Sequence, residues 1–170
     1  MVEGFLRTRF ATIGADVAVT SAGARLAGAA VDPHAVAALA AQRVDIADHV
    51  PRRMDRELLG AEGRDLIVTL TREHLRTVVT LRRDTWPRTF TLRELVRRGA
   101  EAEPAADLAT WLAGVGEGRT TASLLGDDDR DDVADPYGLG AAAVRATADE
   151  LDVLCAQVVA MAPWPRRSPA

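Results

Sequence analysis

The six residues Asp65-Leu66-Ile67-Val68-Thr69-Leu70 constrain the fold more tightly than any other stretch of the chain. A strand with one wet face alternates polar and apolar side chains, whereas this run is almost unbroken apolar. It is predicted to be a strand covered on both faces, as interior strands of parallel sheets are. The next residues agree with that reading. Thr71 is a capping residue type ahead of a predicted helix over residues 72–81. Residues 88–92 read as a second short strand, and residues 92–98 turn helical. Strands alternating with helices specify an α/β fold: a doubly wound, mostly parallel sheet with flanking helices.

The rest of the chain supplies further pieces. Residues 1–13 predict a helix with Met1, Phe5, Leu6, Phe10 and Ile13 on one side. Residues 16–20 alternate into a short strand that Ser21-Ala22-Gly23 ends. Asp32-Pro33 is a helix start, with the aspartate as N-cap and proline in the first helical position. A loop over 45–53 holds His49, Pro51 and the pair Arg52-Arg53, and a short helix comes next over 54–59. A helix is predicted over 107–112, then a flexible link over 114–118 and a loop over 120–130. The longest helix spans 141–161, with Val144, Ala148, Leu151, Cys155 and Val158 facing a core. Residues 163–170, with Trp164, read as a disordered tail, leaving one domain over 1–162. In doubly wound sheets ligands bind beyond the carboxyl ends of the strands, so Ser21, Thr71 and Asp135 are candidates to converge there.

Charge and cysteine usage exclude several function classes. The formal net charge of −4 gives no basic field for nucleic acid or an anionic membrane. No apolar run is long enough to enter and span a bilayer. The first ten residues carry Glu3, Arg7 and Arg9, unlike a secretory signal, so a cytoplasmic protein is expected. The single cysteine, Cys155, excludes an internal disulfide and any multi-cysteine metal or redox motif, and its mid-helix place reads as core. Asp127, Asp128, Asp129, Asp131 and Asp132 offer oxygens to a divalent cation, but without calcium-loop spacing a solvated acidic turn is the simpler reading. His34 and His74 are expected to be solvated, and Trp86 and Trp111 to face the core or a partner.

The stretch Asp131-Asp132-Val133-Ala134-Asp135-Pro136-Tyr137-Gly138-Leu139-Gly140 carries the candidate chemistry. Proline biases the residue before it toward extended backbone, which places Asp135 on a loop. Gly138 and Gly140 permit tight turns just before the helix at residue 141. A carboxylate on such a loop can give or take a proton. Asp-Pro is also an ordinary turn dipeptide.

Taken in order, Met1-Val2-Glu3-Gly4, Ser21-Ala22-Gly23, Asp32-Pro33, His49-Val50-Pro51-Arg52, Asp65-Leu66-Ile67-Val68 with Thr71 and His74, and Asp135-Pro136-Tyr137-Gly138 resemble the low-molecular-weight protein tyrosine phosphatases. The likeness covers nearly the whole chain, with an insertion over residues 101–118. It implies a flavodoxin-like α/β fold and a phosphomonoester hydrolase that works through a cysteinyl-phosphate, with no metal or other cofactor. It implies that Asp135 protonates the leaving phenolate and then helps activate water. Tyr137 would line the substrate slot, while Ser21 and His49 would buttress the phosphate-binding loop. The implied partner is a phosphotyrosine-containing protein or a small phosphomonoester.

The family's Cys-x-x-x-x-x-Arg-Ser-Pro loop and first strand would precede the Met-x-Glu-Gly helix, so the chain reads as N-terminally truncated, with the nucleophile loop upstream of residue 1. Loss of an interior strand would leave its neighbours two inter-strand spacings apart, roughly 9–10 Å. The alternative is a catalytically dead interaction domain derived from the same fold.

Overall fold

The structure is a computed structural model that describes residues 1–23, 31–60, 64–124 and 129–166. Asp127, Asp128 and the last four residues of the expected tail lie outside the described residues. Seven α-helices and two strands succeed one another along the described chain: α1 Val2–Thr12, α2 Pro33–Ala41, α3 Arg56–Gly60, β1 Ile67–Thr69, α4 Arg72–Leu81, β2 Thr89–Thr91, α5 Leu92–Gly99, α6 Leu108–Val115 and α7 Ala141–Met161. Short 3₁₀ turns cover Arg83–Arg88 and Thr121–Leu124. Among the described residues no helix is long and apolar enough to cross a membrane.

Helix starts track their capping side chains. Asp32 accepts the His34 amide at 2.8 Å ahead of Pro33, and Thr71 accepts the His74 amide at 3.2 Å. Thr91 and Asp107 do the same for Glu94 and Thr110, at 3.2 and 2.8 Å. Each such bond satisfies one of the four orphan amides of a first turn. The exposed Asp107 carboxyl is held below the usual carboxylate range chiefly by that Thr110 amide.

The chain divides into two compact units. One comprises Met1–Arg53, Ala134–Ala160 and Trp164–Ala170. Its buried side chains are Phe5, Leu6 and Phe10 on α1, Ala35, Ala38 and Leu39 on α2, Val44, and the α7 stripe Val144, Ala148, Leu151, Cys155 and Val158. That stripe returns every three or four residues, so one helix face is apolar along its length. At roughly 1.5–3 kcal/mol for each large apolar side chain buried, it is the main reason α7 stays docked. Arg9 joins α1 to α7 through Asp152 at 2.6 Å.

Two expectations are corrected in this unit. Residues 16–20 form no strand; Ala15 makes only an isolated antiparallel bridge, to Arg166. Alternation marks a face, but a strand exists only where a neighbour completes its ladder, and here none does among the described residues. Residues 163–166, expected in a disordered tail, are tied down instead. The Trp164 ring packs edge-on against Phe10 at 4.7 Å, its Nε1–H donates to the Val158 carbonyl at 3.3 Å, and the Asp16 amide donates to the Pro165 carbonyl at 2.8 Å. An indole buries too much apolar area to be left in solvent when such a seat exists.

The other unit comprises Met54–Val133 and Met161–Pro163 and holds the sheet. β1 and β2 run parallel in the register Ile67 to Thr89, Val68 to Phe90 and Thr69 to Thr91, with α4 as the crossover. The mixed α/β class and parallel pairing agree with the sequence. However, β2 is the only strand beside β1 among the described residues, and Ile67 and Val68 are half-buried. β2 is buried throughout, and its polar residues bond locally: the Thr89 hydroxyl donates to the Thr85 carbonyl at 2.8 Å. Leu75, Val78, Leu92, Leu95, Trp111, Leu112 and Val115 close the core. Part of the predicted flexible link, up to Val115, completes α6.

Gly99, the last residue of α5, sits where a Cβ would lie 2.5 Å from Met161 Sδ and 2.8 Å from Trp111 Cζ2. Gly99→Ala is therefore expected to destabilise this core by about 1–3 kcal/mol, the usual cost of overpacking. The check is the urea midpoint; an unchanged or raised midpoint would show that Met161 swings aside freely.

Candidate active site

Two clusters hold the residues that the sequence singles out, both within the unit built on α1, α2 and α7. The first is the turn before α7. Pro136 fixes its own backbone, and the Asp135 carboxylate accepts the Tyr137 amide at 3.0 Å, closing a turn across the proline. The Leu139 amide then donates to the Pro136 carbonyl at 3.1 Å. Gly138 and Gly140 take φ of +79° and +84°, left-handed backbone that other residues rarely adopt. The result is a stack of tight turns that leaves Asp135 exposed and Tyr137 80% exposed. A carboxylate with one amide partner and an open side can exchange a proton with a ligand. An aromatic ring so exposed has no packing role of its own.

The second cluster gathers on Glu3, in the first turn of α1. Its side chain is 10% exposed, and its carboxylate receives three groups. Arg7 lies 2.7 Å from Oε1, the Ser21 hydroxyl donates to Oε2 in a short hydrogen bond, and His49 Nδ1 lies 3.6 Å from Oε2. α1 comes close enough to the chain after α2 that a Cβ on Gly4 would lie 2.8 Å from Val44 Cγ1. His49 is set by a local turn, its amide donating to the Ile46 carbonyl at 3.1 Å. The loop after Ser21 is clamped where the Gly23 amide donates to the Arg52 carbonyl at 2.8 Å, beside a parallel bridge to Arg53.

The structure thus brings Ser21 and His49 together through Glu3, and places Asp135 and Tyr137 in a shared turn. No hydrogen bond joins the two clusters among the described residues. Sequence reasoning missed Glu3 and Arg7 as site residues, although their i, i+4 spacing was a readable ion-pair signal.

The remaining candidates resolve into structural roles. Cys155 is fully buried in α7, and desolvation pushes its thiol up to about 12, so it is a packed side chain rather than a nucleophile. Asp131 makes a two-bond pair with Arg97, at 2.7 and 3.1 Å. That bond raises the Arg97 pKa above its ordinary value. Asp132 accepts the Arg72 amide at 2.7 Å, adding a carboxylate to the N-terminus of α4. Both oxygens of Asp131 and one of Asp132 thus have partners within the protein. No cluster of three or more metal-ligating side chains occurs among the described residues. His34 and His74 are exposed.

Comparison with known proteins adds a family and a set of structural neighbours. A family model described as "Low molecular weight phosphotyrosine protein phosphatase" matches residues 1–107. No curated protein matches the chain. Among solved structures, the low molecular weight protein tyrosine phosphatase from T. tengcongensis is 24% identical with a TM-score of 0.69, over 94% of this chain and 87% of that one. A YwlE mutant from Bacillus subtilis is 25% identical with a TM-score of 0.67, over 94% and 86%. A mutant YwlE arginine phosphatase with a phosphorylated active-site serine is 25% identical with a TM-score of 0.68, over 94% and 84%.

Proposed function

Since the chain belongs to the low-molecular-weight phosphotyrosine protein phosphatase family, we propose that it is a phosphomonoester hydrolase working through a cysteinyl-phosphate. Cys155, the one cysteine of residues 1–170, is buried, so the attacking thiolate comes from a loop outside them. Asp135 is the general acid. A thiolate of that loop attacks phosphorus, the bond to the leaving oxygen breaks, and Asp135 gives that oxygen a proton. The Asp135 carboxylate then takes a proton from the water that attacks the phosphoenzyme, which releases phosphate and regenerates the thiolate. Tyr137 lines the slot for an aromatic phosphoester, and Ser21 and His49 support the phosphate loop.

The observation that carries this reading is the exposed Asp135 carboxylate beside an exposed aromatic residue, on a turn made rigid by its own hydrogen bonds. The test is to read the codons upstream of Met1, express the extended chain and trap its phosphoenzyme. A Cys-x-x-x-x-x-Arg-Ser-Pro ahead of Met1 and a phosphocysteine are the expected results. A stop codon directly upstream would remove the mechanism.

One observation favours a second reading, a catalytically dead interaction domain on the same fold: the chain's own thiol is buried and held protonated. Residues 1–170 alone are accordingly expected to leave p-nitrophenyl phosphate unhydrolysed, with chelator present and with Cys155→Ser unchanged from the parent. Turnover by that chain would show a nucleophile that neither reading contains.

A further inference from the structure

We propose that Glu3 is the positioning residue of this site, holding Ser21 and His49 in one arrangement and keeping the His49 ring proton on Nδ1. The proposal rests on the phosphatase reading, in which Ser21 and His49 have a loop to support.

The three groups that meet at Glu3 come from three segments of chain. Arg7 is one helical turn along α1, Ser21 ends the extended stretch after it, and His49 closes the loop after α2. Oε1 takes the guanidinium, while Oε2 takes the Ser21 hydroxyl and also faces the imidazole. Among the described residues the Ser21 side chain has no other hydrogen bond, and the His49 ring has no other acidic group within ion-pair distance. Glu3 is therefore their shared partner. Its largely buried charge is compensated by Arg7 and by the serine hydroxyl, as a buried carboxylate requires.

The separation of 3.6 Å is too long for a hydrogen bond. A carboxylate at that distance in a poorly solvated place still acts on the imidazole dipole. It favours the tautomer that turns the positive Nδ1–H end toward Oε2 and the Nε2 lone pair away. Nε2 is then an acceptor, so His49 supports a loop by receiving a hydrogen bond from it. The hydroxyl of Ser21 is committed to Glu3 as donor, leaving its oxygen as an acceptor too. One carboxylate thus sets both supports to receive protons.

The experiment is ¹⁵N NMR of ring-labelled histidine in the 170-residue chain, in alkaline buffer. The exposed His34 and His74 serve as internal references. The native chain is expected to show His49 mainly protonated on Nδ1. Glu3→Gln is expected to shift the tautomer ratio toward Nε2–H on the order of tenfold. Glu3→Asp, which keeps the charge on a shorter arm, should fall between. Ser21→Ala leaves the Glu3–His49 pair in place and should leave the ratio as it was. His49 protonated on Nε2 in the native chain would overturn the proposal even if the Glu3 variants fail to fold, and so would equal ratios in the native and Glu3→Gln chains. The measurement needs no turnover, so its failure leaves the reaction assignment standing. Failure to trap a phosphoenzyme would sink the reaction without moving the tautomer.

Discussion

Arg119→Ala is expected to lower the unfolding free energy by about 3–5 kcal/mol, the range for stranding one member of a buried ion pair. Only 4% of the Arg119 side chain is exposed, and its partner Glu94 is 14% exposed, with Nε and Oε1 2.9 Å apart. The guanidinium lies 3.8 Å from the Trp86 ring centroid and 4.0 Å from that of Phe90, so both of its ring contacts are of the cation–π kind. Its nitrogens also donate to the carbonyls of Thr89 at 2.7 Å and Trp86 at 3.3 Å. Burial pushes the Arg119 pKa below its ordinary value, and Glu94 counters that shift. Alanine would leave a carboxylate without its cation, take one donor from each of two carbonyls and open a gap beside two rings.

At a few degrees per kcal/mol for a chain of this size, the melting temperature should fall by about 10 °C. Arg119→Lys keeps the charge but loses the planar fork and the stacking, and about half the loss is expected. Urea titration monitored by far-UV circular dichroism measures both. A loss below about 1 kcal/mol would mean that the pair behaves like an exposed one.

The second large effect concerns the proposed acid. In a chain extended to include the upstream loop, Asp135→Asn is expected to slow phosphoenzyme formation by about 10²–10⁴-fold for phenyl phosphate or phosphotyrosine. The loss should be smaller for p-nitrophenyl phosphate, whose leaving group departs with less help. Asparagine can still accept the Tyr137 amide, which Asp135 holds at 3.0 Å, so the turn should survive and the missing proton be isolated. Asp132→Asn is the control. Asp132 serves the first turn of α4, where asparagine can likewise accept the Arg72 amide, so Asp132→Asn should cost less than about 1 kcal/mol of stability and leave the leaving-group dependence alone. If that dependence responds to Asp132→Asn instead, the assignment has the wrong carboxylate.

Features that depend on a few neighbouring residues were readable in the sequence. α7 spans the predicted residues 141–161, because its apolar stripe is continuous and Gly140 precedes it. α2 and α4 start where Asp32 and Thr71 said they would, since a cap acts within one turn. Features that depend on distant chain were not readable. Residues 16–20 have a strand's alternation without a ladder, and Trp164 looks like tail until Phe10 is beside it. The acidic run around Asp131 resembles a solvated cluster until Arg97 and the Arg72 amide appear. The candidate site divides the same way. Asp135 and Tyr137 share one turn and could be found from Asp-Pro-Tyr-Gly, whereas Glu3 became visible only when Ser21 and His49 closed on it from later segments.

The seat of Trp164 also gives the molecule a spectroscopic division of labour. Of its three tryptophans, Trp86 and Trp111 belong to the unit with the sheet, and Trp164 belongs to the unit with α1 and α7. A chain carrying Trp86→Phe and Trp111→Phe would emit only from the indole against Phe10. The complementary Trp164→Phe chain would emit only from the sheet unit. Comparing the two emission transitions would reveal whether the halves lose their structure as a single event or one after the other.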